Sequence, residues 1–241
     1  MSEVFVEDID KIRELTLQLA KDCQFRIECG FLVVGHPFAQ QNPVVLNIDG
    51  DMKFFNLTDK KGNKDYLKTL SKMFAKYSSE GLFFLVRTPF KFEWLNMCKP
   101  YLHPDTFTEL FAKTWAHVEF PNTSTIPPET LIEWFKEAKK EQLMDENNLA
   151  AYHQLPEELT LYRGVPKNGV VLGLSWTTDL KTAQFFKNRT GERGGKIYSA
   201  VVPKSAVVAF YGDREEQEVV LDVFAVKNSI TEHTFSASHN V

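Results

Sequence analysis

"LTLYRGV" (159–165), "LGLSWTT" (172–178), "KIYSAVV" (196–202), "AVVAFYG" (206–212) and "EVVLDVFAV" (218–226) follow one another in the last third of the chain. Each is short, rich in β-branched and aromatic residues and bounded by Gly, Asp or Pro, which is the composition of a strand rather than a helix. One helical stretch, "DLKTAQFFKNR" (179–189), is inserted after the second strand. A run of strands in this half fixes the class, because the residues before Pro156 read differently.

Upstream, helical spacing dominates. Residues 7–22 carry Ile9, Ile12, Leu15, Leu17 and Leu19 at approximately helical spacing, and "KDYLKTLSKMFAKY" (64–77) returns to that period through Tyr66, Leu67, Leu70, Met73, Phe74 and Tyr77. "PVVLNIDGDMKFFNL" (43–57) reads as a β-hairpin turning at Asp49-Gly50, and "EGLFFLVRT" (80–88) as a buried strand. "HPDTFTELFAKTWAHVEF" (103–120) predicts a helix capped by Asp105 or Thr106. After the connector "PNTSTIPP" (121–128), one long helix from Pro128 to Pro156 presents Leu131, Trp134, Phe135, Ala138, Leu143 and Tyr152 inward. Helices followed by strands make an α+β fold. The division expected is an N-terminal region 1–102 and a second domain 103–241, with helices in 103–155 and a β core in 156–226.

The 241 residues are 43% hydrophobic and 25% charged, a globular balance that rules out wholesale disorder or a coiled-coil rod. Lys plus Arg number 28 against 32 Asp plus Glu, a net charge of −4 that argues against coating duplex nucleic acid. The acidic start "MSEVFVEDID" lacks a signal-peptide pattern, and no run of apolar residues is long enough to span a bilayer, so a cytoplasmic protein without membrane contact is expected. Cys23, Cys29 and Cys98 lack metal-ligand spacing, and the six histidines are scattered, so no metal is expected. Phosphate-loop, H-E-x-x-H and G-x-S-x-G motifs are absent. The unusual count is 20 Phe, which serve a core or line a site for flat rings.

Three pieces of the β half stand out together: Arg163 at the end of "LTLYRG", Ser175 and Thr177 two apart in "LSWTT", and Glu216 and Glu218 two apart in "REEQEVVL". Residues two apart on a strand share a face, so each pair is expected on one surface. In this order they resemble the ADP-ribosyltransferase family of the arginine–serine–glutamate type, in which an Arg strand, an S-T-S-like strand and an E-x-E motif succeed one another. "LYRGV…GLSWTTDLKTAQFF…GGKIYSAVVP…VVAFYGDREEQEVVLD" is similar to transferase-like domains of bacterial and phage proteins. The resemblance is specific over about 156–222 and departs from the S-T-S pattern at its centre, where Trp176 stands.

The resemblance implies a split β-sheet core, NAD+ as co-substrate without a metal, and transfer of ADP-ribose with loss of nicotinamide. It implies that Glu218 stabilises the oxocarbenium-like ribose, that Glu216 activates the acceptor, and that Ser175 holds Glu218. Thr177 would brace the nicotinamide pocket, Arg163 and the adjoining Gly164 would bind NAD+, and Phe185 or Phe186 would stack there. Tyr211 and Arg214, in the loop before the glutamates, become acceptor-side candidates, and Phe210 lies beside the cleft. E-x-E favours a protein arginine acceptor, while conflict-system relatives modify nucleic-acid bases. A bacterial or phage toxin or effector with a neutralising antitoxin partner is the expected setting. Lys181, Lys187, Arg189, Arg193 and Lys196 form a basic set that suits a single-stranded acceptor or a solvated face. A catalytically inactive NAD+- or partner-binding module and an NAD+ glycohydrolase are the alternatives.

Overall fold

The computed structural model describes residues 5–21, 24–28, 31–118, 125–212 and 216–233, with backbone alone for 24–28 and 31–34. Its contacts separate two units, Met1–Thr125 and Ile126–Val241.

In the first unit, α1 (Ile9–Lys21) is followed by the antiparallel pair β1 (Gln24–Glu28) and β2 (Phe31–Gly35), then the hairpin β3 (Val44–Ile48) and β4 (Asp51–Phe55). Four helices follow: α2 (Lys60–Phe74), α3 (Ser79–Leu85), α4 (Lys91–Cys98) and α5 (Pro104–His117). The hairpin turns where expected, with Asp49 at φ 52° and Gly50 at φ 94°, the left-handed pair that a tight two-residue turn requires. α1 packs on α2, α3 and α4 through Ile12, Thr16 and Leu19. Trp94 donates its indole N–H to Thr16 Oγ1 at 2.8 Å, and Thr16 in turn donates to the Ile12 carbonyl at 2.7 Å, so the polar atoms at this contact are satisfied.

Two expectations fail here. "EGLFFLV" is a helix, α3, because Ser78 caps it by accepting from the Gly81 amide, and because Leu82 and Phe83 are buried while Phe84 is 64% exposed. A six-residue apolar run cannot distinguish strand from helix by periodicity alone. α5 also belongs to the first unit, so the division falls at 125/126 rather than 102/103. Its buried face, Phe107, Leu110, Phe111 and Trp115, meets α3 and α4, with Phe92 edge-on to Trp115 at 6.4 Å between centroids. Pro104 opens α5 and His103 caps it, Nδ1 accepting from the Asp105 amide at 3.2 Å, in place of Asp105 or Thr106.

The second unit opens with three short helices, α6 (Pro128–Glu137), α7 (Lys140–Leu143) and α8 (Glu146–Gln154), where one long helix was expected. Leu131, Trp134, Phe135, Ala138 and Leu143 are buried as anticipated, whereas Tyr152 is only half-buried, and the backbone extends at Ala138–Lys139 and Met144–Asp145. Asp145 then caps α8, accepting from the Asn148 amide at 2.8 Å. The half-buried Lys140 turns its ammonium to the carbonyls of Phe135 and Val208.

β5 (Glu158–Val165), β6 (Ser175–Thr177), α9 (Leu180–Asn188), β7 (Lys196–Pro203), β8 (Val207–Tyr211), β9 (Glu218–Leu221), α10 (Val223–Val226) and β10 (Thr231–Glu232) complete the chain. The strands form one antiparallel sheet in the order β10-β7-β5-β6-β9-β8. β5 and β6 pair at a single position, Tyr162 with Thr177, so the sheet consists of two three-stranded halves joined at that pair. The strand expected over 218–226 stops at Leu221, because Asp222 caps α10 by accepting from the Ala225 amide. The α+β class holds, and the core of this unit is built by Leu159, Leu161, Trp176, Val202 and Val219–Leu221.

Candidate functional site

The site forms where the two half-sheets meet. Register places Tyr211, Glu218, Thr177 and Tyr162 in a single row across β8, β9, β6 and β5, with Ser175 opposite Val220 two pairs further along. Glu218 is the first residue of β9 and is only 7% exposed. Arg163, next to Tyr162, turns its guanidinium toward β6. Nη1 donates to the Ser175 carbonyl, while Nε and Nη2 donate to the Val170 carbonyl at 3.4 and 3.3 Å. Burial pulls the Arg163 pKa down to about 10, and the nearby Glu218 carboxylate opposes that shift, so the group stays cationic at neutral pH. Arg163 is therefore held cationic in the same partly desolvated corner as Glu218, where electrostatic interactions are stronger than in water.

Thr177 braces the corner. Its hydroxyl accepts from the Asp179 amide at 3.0 Å and donates to the Glu216 carbonyl at 2.8 Å, which ties the end of β6 both to the start of α9 and to the turn before β9. Thr178 donates to Gln217 Oε1 at 2.8 Å. Asp179 caps α9, accepting from the amides of Lys181 and Thr182 and from the Thr182 hydroxyl, and these bonds hold its carboxyl below the usual range. The capping signal of Asp179 is legible in "TDLKT"; nothing in the sequence marks Thr178, Gln217 or the Val170 carbonyl as parts of the corner.

Glu216 departs from expectation. Gln217 sits at φ 43°, in the left-handed region that costs a non-glycine residue roughly 1–2 kcal/mol, so β9 begins only at Glu218. The strand alternation meant to align the two glutamates does not apply, and Glu216 is exposed in the turn while Glu218 is buried. Ser175 is half-buried beside this pair.

Gly164 is explained by packing. A Cβ there would lie 1.9 Å from the Ala183 carbonyl oxygen and 2.5 Å from the Lys187 amide nitrogen, so the backbone of α9 fills its side-chain position. That face of Gly164 is closed to a cofactor. Tyr211 is also displaced from the role expected of it. It is a strand residue of β8, 6% exposed, with its hydroxyl donating to the Leu143 carbonyl at 3.3 Å, because the strand runs on to the residue before Gly212. A ring so placed is not an open acceptor platform. Phe210 is likewise buried on β8. Arg214 lies outside the described residues.

On α9, Phe185 is 64% exposed and Phe186 half-buried, with rings 5.4 Å apart and 77° between planes. Arg189 stands over the Phe186 ring at 5.7 Å. Of the basic set, Lys181, Arg189, Arg193 and Lys196 are exposed, and Lys196 pairs with Glu232 at 2.7 Å. Among the described residues no helix is long and apolar enough to cross a membrane.

Comparison with protein-family models, with curated proteins and with solved structures yields no match to this chain.

Proposed function

We propose that the chain is a mono-ADP-ribosyltransferase that uses NAD+ and modifies a macromolecular acceptor. The observation that carries this reading is that cationic Arg163 and buried Glu218 share the corner where the Arg strand, the S-W-T strand and the strand after E-Q-E meet. In the reaction, the bond between nicotinamide and ribose C1′ breaks and its electron pair leaves with nicotinamide. The Glu218 carboxylate stabilises the positive charge left on the ribose, an electrostatic contribution typically worth about 10²–10³ in rate. The acceptor then bonds to C1′, and its proton passes to Glu216, which the turn holds at the solvent side, where an acceptor arrives. Thr177 acts through its backbone bonds by keeping that turn against β6.

The test is nicotinamide release by Glu218→Gln, an isosteric change that removes the charge. A fall of about 100-fold is expected, with the melting temperature retained. Release at the unmutated rate would sink the proposal. Labelled NAD+ incubated with a cell lysate, followed by protease or nuclease, then names the acceptor class. The setting that goes with this reading is a bacterial or phage effector working in the cytoplasm, with an antitoxin partner where the host must be spared.

One observation favours a second reading, a partner-binding module without transfer. Arg163 already spends donors on the Ser175 and Val170 carbonyls, a structural use of the fork expected to hold NAD+. Calorimetry with NAD+ that shows no heat, together with no nicotinamide released, would select that reading.

A further inference from the structure

α9 turns one side to the sheet and leaves the other to solvent. Ala183 is buried with its carbonyl over Gly164, and on the opposite side Lys181, Phe185, Asn188 and Arg189 are exposed in a stripe at helical spacing. From Leu180 to Gly191 the sequence carries three cationic side chains, Lys181, Lys187 and Arg189, and no acidic one. Exposed Arg193 follows in the next loop. Among the described acids near this strip, Glu192 pairs with Lys167, Glu232 with Lys196, and the Asp179 carboxylate accepts from amides of the helix it caps, while Glu216 is exposed in the turn that Thr177 ties to the start of α9. A local cationic strip thus stands on a chain of net charge −4, centred on a Phe ring that is 64% exposed.

We infer that this face of α9 binds single-stranded nucleic acid, with Phe185 stacking on a base and Lys181, Arg189 and Arg193 meeting phosphates. Lys181 and Arg189 are eight residues apart, about 12 Å along a helix. That length spans three to four nucleotides of a stacked strand at about 3.4 Å each. An exposed ring needs an unstacked base, which a duplex does not offer, and three cations are too few to hold a duplex backbone firmly. An acidic peptide would satisfy the cations but give the ring no flat partner. The inference stands apart from the NAD+ reading. Where both hold, it names the acceptor class.

The experiment is fluorescence anisotropy of the full chain with labelled oligo(dT) and oligo(U) of about 12 nucleotides, at salt from about 50 mM upward. Binding should weaken with a log–log salt slope of about −2, as expected for about three phosphates on a single strand. Phe185→Ala should weaken binding about tenfold, Phe185→Trp should keep it, and the double variant Lys181→Glu/Arg189→Glu should weaken it about tenfold or more and flatten the slope. Circular dichroism melting shows that each variant is folded. Absence of binding to either oligomer overturns the inference, as does binding that Phe185→Ala and the double variant leave unchanged, equal affinity for a duplex, or displacement by polyglutamate alone. Nicotinamide release is measured in parallel. If Phe185→Ala abolishes release while oligomer binding is intact, the ring belongs to the NAD+ site and this inference fails. If the unmutated chain releases no nicotinamide yet binds oligomer as described, the transferase reading fails and this one stands.

Discussion

His36 is fully buried in the first unit and is bonded on both ring nitrogens: Nε2 meets the Ala20 carbonyl at 2.9 Å, and Nδ1 accepts from the Phe38 amide at 3.0 Å. That pair of partners fixes the neutral tautomer with its proton on Nε2. Burial drives the pKa from 6.5 down to about 4, helped by the Arg87 guanidinium, which donates to the His36 carbonyl. Below about pH 6.5 the unfolded chain takes up a proton that the folded chain refuses. Stability from this group is therefore full above that pH and falls as the pH drops toward 4, by about 3 kcal/mol in all. NMR titration of the imidazole should give a midpoint below 5. A midpoint near 6.5 would contradict the buried neutral ring. Nothing in "VVGHPF" marks this histidine, because its partners come from α1 and from a turn two residues away. That Glu218 heads a strand was legible in "EVVL", whereas its separation from Glu216 depends on the backbone angle of Gln217.

At the scale of elements, the contact of α9 with β5 organises the second unit. Gly164→Ala would force a methyl into backbone atoms of Ala183 and Lys187, which cannot swing aside as a side chain would. The helix must lift from the strand, at a cost of about 3 kcal/mol, the upper end for overpacking. Urea unfolding should show the lowered midpoint, and an unchanged midpoint would mean that the helix does not lie against that glycine. The strands themselves were readable, because β-branched residues between turn residues have few other solutions. The helices were less so. α3 looks like a strand because its apolar residues are consecutive, and the single helix expected over 128–155 breaks where Asp145 caps a new one and Lys140 turns to carbonyls distant in sequence.

For the whole molecule, the boundary decides what can stand alone. Ile126–Val241 contains the entire six-stranded sheet with the helices packed on it. A fragment of those residues should be monomeric and melt cooperatively. One that begins at Pro104 carries α5 without the α3 and α4 surfaces that cover Phe107, Leu110, Phe111 and Trp115, and should self-associate. Size-exclusion chromatography and circular dichroism compare the two. If both behave alike, the division at 125/126 is wrong.

Local composition by itself determined the α+β class, the hairpin at Asp49-Gly50 and the succession of strands on which Arg163, Ser175, Thr177 and Glu218 lie, since these follow from side-chain period and from residue order. Only the tertiary structure decided that α5 sides with the first unit, that Gly164 lies under a helix, that Tyr211 is buried and that Phe185 is not. The physical reason is the same in each case: an apolar face or a small residue shows that something must pack against it, but which surface does so is set by contacts between residues far apart in the chain.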